Sequence, residues 1–378
     1  MKILHVVNTS FVLPYFLGDQ IEHFTKTGVK IYIACHPSSH LREFGNMHNC
    51  TVKEVEIIRE ISFSSDFRAI MDLRKFIKNE KIDIVIGHTP KGGLIGMVAA
   101  YFSNVEKRIY FRHGLMYETS KGFKRLLLIF VEKLTGYLAT KVVCVSDSVR
   151  KRSVLERLNS PRKNVLLNLG SCNGIDTSRF SNGNLATDKL KLRDKFGISS
   201  DDFVVGFVGR LVNDKGINEL IEAWKILQAN TINATLLIVG PYEERDSISF
   251  ELKQFIKNES TILHVGLMDD VIPYYKLMDL FILPSYREGF PTVVLEASAM
   301  ELPVVTTRST GCIDSIIENE TGIFCNIEPM SISEKILYYL NNPAIAKQHG
   351  RNGRKFVLSN FQQEIIWNEI KEKLIELK

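Results

Sequence analysis

Apolar residues recur along the chain in short continuous blocks, separated by stretches with helical spacing. In the first half the blocks are Lys2–Val7, Lys30–Ala34, Thr51–Glu56, Ile82–Gly87, Lys107–Phe111, Lys141–Val145 and a short one at Asn164–Leu167. Helical spacing falls between them at Tyr15–Thr27, Phe67–Lys78, Gly92–Phe102 and Phe123–Ala139, and again after Ser146. Strands with few polar positions are covered on both faces, which is the habit of parallel sheets flanked by helices. The alternation therefore predicts a doubly wound α/β domain.

The alternation breaks near residues 170–200. Ser171-Cys-Asn-Gly-Ile-Asp-Thr-Ser-Arg-Phe180 has turn chemistry, and Ser181-Asn-Gly-Asn184 is polar and loop-like. Phe203–Val208 restarts the pattern, and Thr235–Val239, Ile262–Val265, Leu280–Leu283 and Val304–Thr306 supply further strands of a second sheet. From Ser331 the tail is helical and ends in Gln362–Lys378. The expected organisation is two Rossmann-like domains, 1–175 and 176–360, facing each other across a cleft. A C-terminal helix, 361–378, is expected to pack back on the first domain. Ligands in such folds collect at the carboxyl ends of the strands.

Composition agrees with this division. A chain of 378 residues is too long for one ordinary core, and 45% hydrophobic with 24% charged residues is the balance of a globular protein. No run of 18 apolar residues occurs, so no membrane-spanning helix is expected, and Met1–Asn8 reads as a first strand rather than a signal peptide. Six cysteines without close pairing suggest free thiols in a reducing cytoplasm, and their spacing does not suit a metal. The net charge of +5 hides an asymmetry: residues 1–180 carry a balance of +11 and the remainder −6. A basic half suits an anionic partner. Nucleic acid is disfavoured, because the basic residues are not interleaved with an aromatic platform.

The chemistry concentrates in Leu283-Pro-Ser-Tyr-Arg-Glu-Gly-Phe-Pro-Thr-Val-Val-Leu-Glu-Ala-Ser-Ala299. Pro284 closes an apolar strand, Gly289 is expected to supply backbone freedom, and Pro291 suits the first position of a helix. From Pro291 to Glu296 such a helix rises roughly 7 Å. A ligand reaching both Glu288 and Glu296 is therefore long, and its middle lies over a helix N-terminus, where a diphosphate is favoured. Two hydroxyl-bearing rings flanking a diphosphate describe a nucleotide-sugar. Upstream, Gly206-Phe-Val-Gly-Arg-Leu-Val-Asn-Asp-Lys-Gly216 follows the first strand of the second half. There Gly209 leaves room for ligand, while Arg210 and Lys215 offer a fork and a point charge to two phosphates.

The glutamate pair, set in Pro-Ser-x-x-Glu-Gly-Phe-Pro and Leu-Glu-Ala, resembles that of the retaining glycosyltransferases of family 4, and the Gly-Arg and Lys-Gly steps resemble the same family. Asn173-Gly-Ile-Asp176, Thr310-Gly-Cys-Ile-Asp314 and Glu320-Thr-Gly322 fit it as well. The resemblance implies a GT-B fold and transfer of a sugar from a nucleotide diphosphate, most simply a UDP-sugar. Catalytic roles are implied for Glu288, His113, Arg210 and Lys215. Donor contacts are implied for Gly209, Arg210, Lys215, Glu288, Gly289, Phe290, Pro291, Leu295 and Glu296, with Glu296 on the ribose and Glu288 on the donor sugar. His88, Lys91 and Gly92 are candidates for the acceptor side. Asp176 is read as a capping residue without chemistry. The chain departs from the family after the first strand, where Asn8-Thr-Ser-Phe-Val-Leu-Pro14 replaces a common Gly-Gly pair, which bears on the acceptor.

No Asp-x-Asp occurs, so a metal-independent reaction without cofactor is expected, with Arg210, Lys215 and the helix dipole neutralising the leaving group. The expected acceptor is a glycan carried on polyprenyl diphosphate, met at the inner face of a membrane. Lys121-Gly-Phe-Lys-Arg-Leu-Leu-Leu-Ile-Phe-Val131 sets cations beside a short apolar run suited to an anionic headgroup region. A sugar-nucleotide epimerase or phosphorylase, or a non-catalytic sugar-nucleotide-binding protein on the same architecture, are the alternatives.

Overall fold

The computed structural model describes residues 1–376 except 59, 61, 182, 184, 230–232 and 244–245, and for 185–188 the backbone alone. The chain divides into two compact units, Met1–Gly174 with Gln363–Lys378, and Ile175–Gln362.

The first unit is built on seven parallel strands: β1 (Lys2–Val6), β2 (Lys30–Cys35), β3 (Thr51–Glu54), β4 (Ile84–His88), β5 (Lys107–Arg112), β6 (Lys141–Cys144) and β7 (Asn164–Val165). Their order is β3-β2-β1-β4-β5-β6-β7, so the winding reverses between β1 and β4. Leu4, Val6, Val85 and Val142 are wholly buried, as expected of strands with helices on both faces. The helix Gly122–Leu138 buries Glu132, Thr135, Gly136 and Leu138 but leaves Phe123, Leu126, Phe130 and Tyr137 exposed. The C-terminal segment belongs to this unit. Trp367 Nε1 donates to Asn173 Oδ1 at 2.9 Å, and the Lys107 and Lys141 ammoniums donate to the carbonyls of Ile375 and Lys373 at 2.7 and 2.6 Å.

The second unit holds six parallel strands: β8 (Phe203–Val208), β9 (Ala234–Val239), β10 (Ile262–Gly266), β11 (Leu280–Leu283), β12 (Val304–Thr307) and β13 (Gly322–Cys325), in the order β10-β9-β8-β11-β12-β13. Here the winding reverses between β8 and β11. Two reversal points, each flanked by strand carboxyl ends, are the places where such folds gather ligand-binding loops.

The strand Gly322–Cys325 is not among those expected, and three further elements depart from expectation. A helix spans Ser39–Met47, capped by the Ser38 hydroxyl, which accepts from Leu41 N–H at 3.2 Å. A second, Leu185–Phe196, lies within the break expected near residues 170–200, and Asn182 and Asn184 of the expected loop lie outside the described residues. Tyr15–Thr27 is not one helix but two short ones, Leu13–Phe16 and Gln20–Thr25, interrupted at Gly18, whose φ is +42°.

Candidate functional site

In the second unit, the loops leaving β8 and β11 press against each other at the reversal point. Gly216 takes φ +69°, and a Cβ there would lie 2.1 Å from the Pro284 carbonyl oxygen, so only glycine admits this approach. The contact brings the residue before it, Lys215, to the loop after β11, and its ammonium donates to Glu288 Oε1. The Ser285 hydroxyl donates to the same oxygen at 2.9 Å. The Glu288 N–H donates to the Thr310 carbonyl at 2.8 Å. A Cβ on Gly311, φ +81°, would stand 2.6 Å from Gly289 O and 2.7 Å from Glu288 O, so this glycine closes the turn from the other side. Glu288 is thus 12% exposed and Lys215 19%. Glu288 is a carboxylate packed into its loop, because the segment after β12 covers it. Gly289 itself takes no left-handed φ; that freedom is used at Gly216 and Gly311.

Arg210 remains partly open and pairs with Glu243 at 2.9 Å. Around Gly209 an added Cβ would meet only the Phe207 ring, at ordinary contact distance, so its backbone is approachable. Both phosphate-binding candidates therefore already face a carboxylate, and an entering diphosphate would exchange one anion for another rather than meet bare cations.

The helix Thr292–Ala299 follows. Pro291 sits just outside it as the capping residue, with φ −77° and ψ 93°, rather than at the first helical position. Among the described residues no side chain caps this N-terminus, and its first turn holds no acid, which suits an anion. Glu296 lies inside the helix, 8% exposed, and accepts from the Tyr275 hydroxyl at 2.8 Å. Burial pushes its carboxyl up to about 7, against the opposing pull of Tyr275 and Arg179. Leu295 is fully buried, its side chain packed in the core of this unit. Phe290 packs on Phe361 with ring centroids 5.3 Å apart and steadies the turn. Asp176 caps its own turn, accepting from the N–H groups of Ser178 and Arg179 at 3.0 Å each.

In the first unit the candidates after β4 and β5 join a residue that the sequence did not single out, His5 of β1. His5 Nδ1 lies 3.0 Å from His88 Nε2, and His88 Nδ1 lies 2.9 Å from His113 Nε2. Phe16 stacks on His113 at 3.7 Å with planes 6° apart. Phe16 lies two residues past Pro14, the end of the segment that departs from the family pattern after the first strand. Burial lowers all three imidazoles, His5 and His113 to about 3 and His88 well below its ordinary value, so each is neutral. His88 is 1% exposed, which leaves it no face for an acceptor; only His113 keeps part of its ring open. Lys91 is drawn away as well: its ammonium donates to Asp66 Oδ2 at 2.6 Å and to the Glu60 carbonyl at 2.7 Å. A Cβ on Gly92 would stand 2.9 Å from Val7 Cα, so this glycine serves close packing of helix Pro90–Tyr101 on β1.

Ser285, Tyr275, Phe16 and His5 escaped the sequence reading. His5 alone left a signal there, as a polar residue inside an otherwise apolar strand.

Known proteins place these two units. A family model described as glycosyl transferases group 1 matches residues 188–356, and one described as glycosyl transferase 4-like matches residues 2–146. The capsular polysaccharide biosynthesis glycosyltransferase CapM of Staphylococcus aureus is 35% identical over 371 residues, 98% of this chain and 95% of its own. The UDP-Gal:alpha-D-GlcNAc-diphosphoundecaprenol alpha-1,3-galactosyltransferase of Escherichia coli is 25% identical, covering 85% of this chain and 82% of its own. The N,N'-diacetylbacillosaminyl-diphospho-undecaprenol alpha-1,3-N-acetylgalactosaminyltransferase of Campylobacter jejuni is 26% identical, covering 78% and 77%. Among solved structures, Anabaena HepE in complex with UDP-glucose superposes with a TM-score of 0.83 at 19% identity over the whole of both chains. The fold is that of the GT-B glycosyltransferases, two parallel-sheet Rossmann-like units.

Proposed function

Since the chain belongs to the glycosyl transferases of group 1 and is a glycosyltransferase, we propose that it moves a sugar, with retention, from a UDP-sugar to a glycan carried on polyprenyl diphosphate. The observation that carries this reading is the Lys215–Glu288 pair, held at the reversal point of the second sheet, beside an uncapped helix N-terminus.

Each residue then has one task. Glu296, as a carboxylate, accepts from the ribose hydroxyls. The N-terminus of helix Thr292–Ala299, Arg210 and Lys215 take the diphosphate, and Glu288 orients the donor sugar. His113 is assigned a further contact to that sugar. As the bond from the anomeric carbon to the diphosphate lengthens, charge grows on the leaving oxygen, and fixed cations stabilise it more than they stabilise the bound donor. The acceptor hydroxyl approaches the same face, its oxygen bonds to the anomeric carbon, and its proton passes to the departing phosphate. No enzyme nucleophile and no metal ion are required by this scheme.

The acceptor assignment draws on two supports. The names of the Escherichia coli and Campylobacter jejuni relatives include a diphosphoundecaprenol-linked sugar. In this chain, Phe123, Leu126 and Phe130 stand out from helix Gly122–Leu138 beside the exposed Lys121 and Lys124, a surface suited to anionic lipid headgroups. No helix among the described residues is long and apolar enough to cross a membrane. Work at the inner face of a membrane follows from this proposal.

The test is a panel of UDP-sugars with and without polyprenyl-diphosphate-linked acceptors, read by mass, with Glu288→Gln alongside. Turnover only with acceptor, abolished in Glu288→Gln, supports the reading. Conversion of the UDP-sugar without acceptor into an isomer of the same mass, separated by chromatography, would instead identify an epimerase.

A further inference from the structure

The first unit carries a line of three imidazoles whose placement follows from strand register. His5 pairs with Ile86 across β1 and β4, and His88 stands two residues beyond Ile86 on the same face. His88 pairs with Phe111 across β4 and β5, and His113 stands two residues beyond Phe111. The three histidines therefore run diagonally over the carboxyl ends of three adjacent strands, starting at the reversal point. Aromatic rings clamp them: Phe111 lies 5.1 Å from His88 by ring centroids, and Phe16 covers His113. The residue after His88, Thr89, takes φ +62° and ψ 154°, a conformation that a β-branched residue holds only under constraint.

Each N–H···N bond needs one protonated and one bare nitrogen, and a neutral imidazole carries a single N–H. Two bonds in series must therefore run head to tail. In one sense His5 donates from Nδ1, His88 donates from Nδ1, and His113 carries its hydrogen on Nδ1. In the other, His113 donates from Nε2, His88 donates from Nε2, and the Nδ1 of His113 is bare. Among the described residues, none forms a hydrogen bond with His113 Nδ1. Its role as donor or acceptor is consequently tied to a ring two places away.

We infer that His5 and His88 are positioning residues of the transfer reaction, a line of imidazoles that fixes which hydrogen-bonding role His113 Nδ1 offers to the donor sugar. This rests on the proposed contact of His113 with that sugar. It also gives a reason for a buried histidine in the first strand, where an apolar residue would pack at lower cost.

Proton-coupled nitrogen spectra of histidine-labelled protein assign the N–H position in each ring, and steady-state kinetics read the consequence. The expected wild-type result is three neutral rings with head-to-tail N–H positions. His5→Phe, which keeps a ring but removes both nitrogens, should change the tautomer populations of His113. It should also lower kcat about 10-fold or more with little change in donor KM. His5→Gln, which still offers a donor and an acceptor, should recover most of the loss. Wild-type spectra with rings that are not head to tail would overturn the inference even if His5→Phe failed to fold. An inactive His113→Ala beside a fully active His5→Phe overturns this inference alone, whereas full activity in His113→Ala overturns the proposed sugar contact as well.

Discussion

Glu296→Gln gives the sharpest physical test of the nucleotide end of the site. The wild-type carboxyl sits inside helix Thr292–Ala299, accepts one hydrogen bond from Tyr275, and is pushed up by burial from 4.5 to about 7. A carboxyl raised in the folded state holds its proton more tightly there than in the unfolded chain. Its contribution to stability is therefore complete below about pH 4.5 and is lost as pH rises through 7. At about 1.4 kcal/mol per pKa unit, the loss between pH 5 and pH 8 is about 2–3 kcal/mol. Glutamine keeps an acceptor for Tyr275 but cannot titrate. Urea unfolding of both proteins across this range cancels every other titrating group in the difference. Wild type should lose about 2–3 kcal/mol relative to Glu296→Gln on going from pH 5 to pH 8. UDP binding supplies the second readout: if the ionised carboxylate receives the ribose hydroxyls, wild-type affinity rises up to about tenfold per pH unit below pH 7 and stays flat in the variant. Parallel stability curves would refute the buried-carboxyl argument, and a flat wild-type affinity would refute the ribose assignment.

Arg210→Ala and Lys215→Ala should each lower turnover by about 10²-fold, with activity unchanged by EDTA; inhibition by EDTA that Mg²⁺ reverses would refute the metal-independent scheme. Arg112, fully buried, is bonded to Glu132 at 2.8 Å, with Ser153 and Asn159 on its other arm. Arg112→Met strands Glu132 and should cost about 3–5 kcal/mol by urea denaturation, a loss under about 1 kcal/mol being the contrary result. Phe123→Ser combined with Phe130→Ser should abolish flotation with vesicles of anionic lipid at low salt while leaving secondary structure intact, and unaltered flotation would remove the helix from the membrane reading.

Much of the architecture was legible because it is written in local pattern. Buried parallel strands need runs such as Phe203–Val208 and Leu280–Leu283, and those runs mark themselves. Elements that are short or poor in apolar residues escaped. Ser39–Met47 is nine residues long and buries only Leu41, Phe44 and Gly45, too few apolar positions to mark a helix, and Gly322–Cys325 is four residues that become a strand only by pairing with β12. The stretch Leu185–Phe196 is rich in lysine and aspartate and carries too weak an apolar stripe to stand out from a linker.

The same division holds at the site. Sequence alone, through the family resemblance, grouped Glu288, Glu296, Arg210 and Lys215 as candidates for one constellation, and the structure joins Lys215 to Glu288. Sequence could not determine what surrounds them. That Glu288 is enclosed by Lys215, Ser285 and the Gly311 turn, and that Glu296 is buried enough to hold a proton near neutrality, depend on residues far apart in the chain. His5 and His113 are 108 positions apart in the numbering and meet only through strand order and register. Hydrogen-bond partners and desolvation are properties of neighbours in space, and only the tertiary structure supplies those.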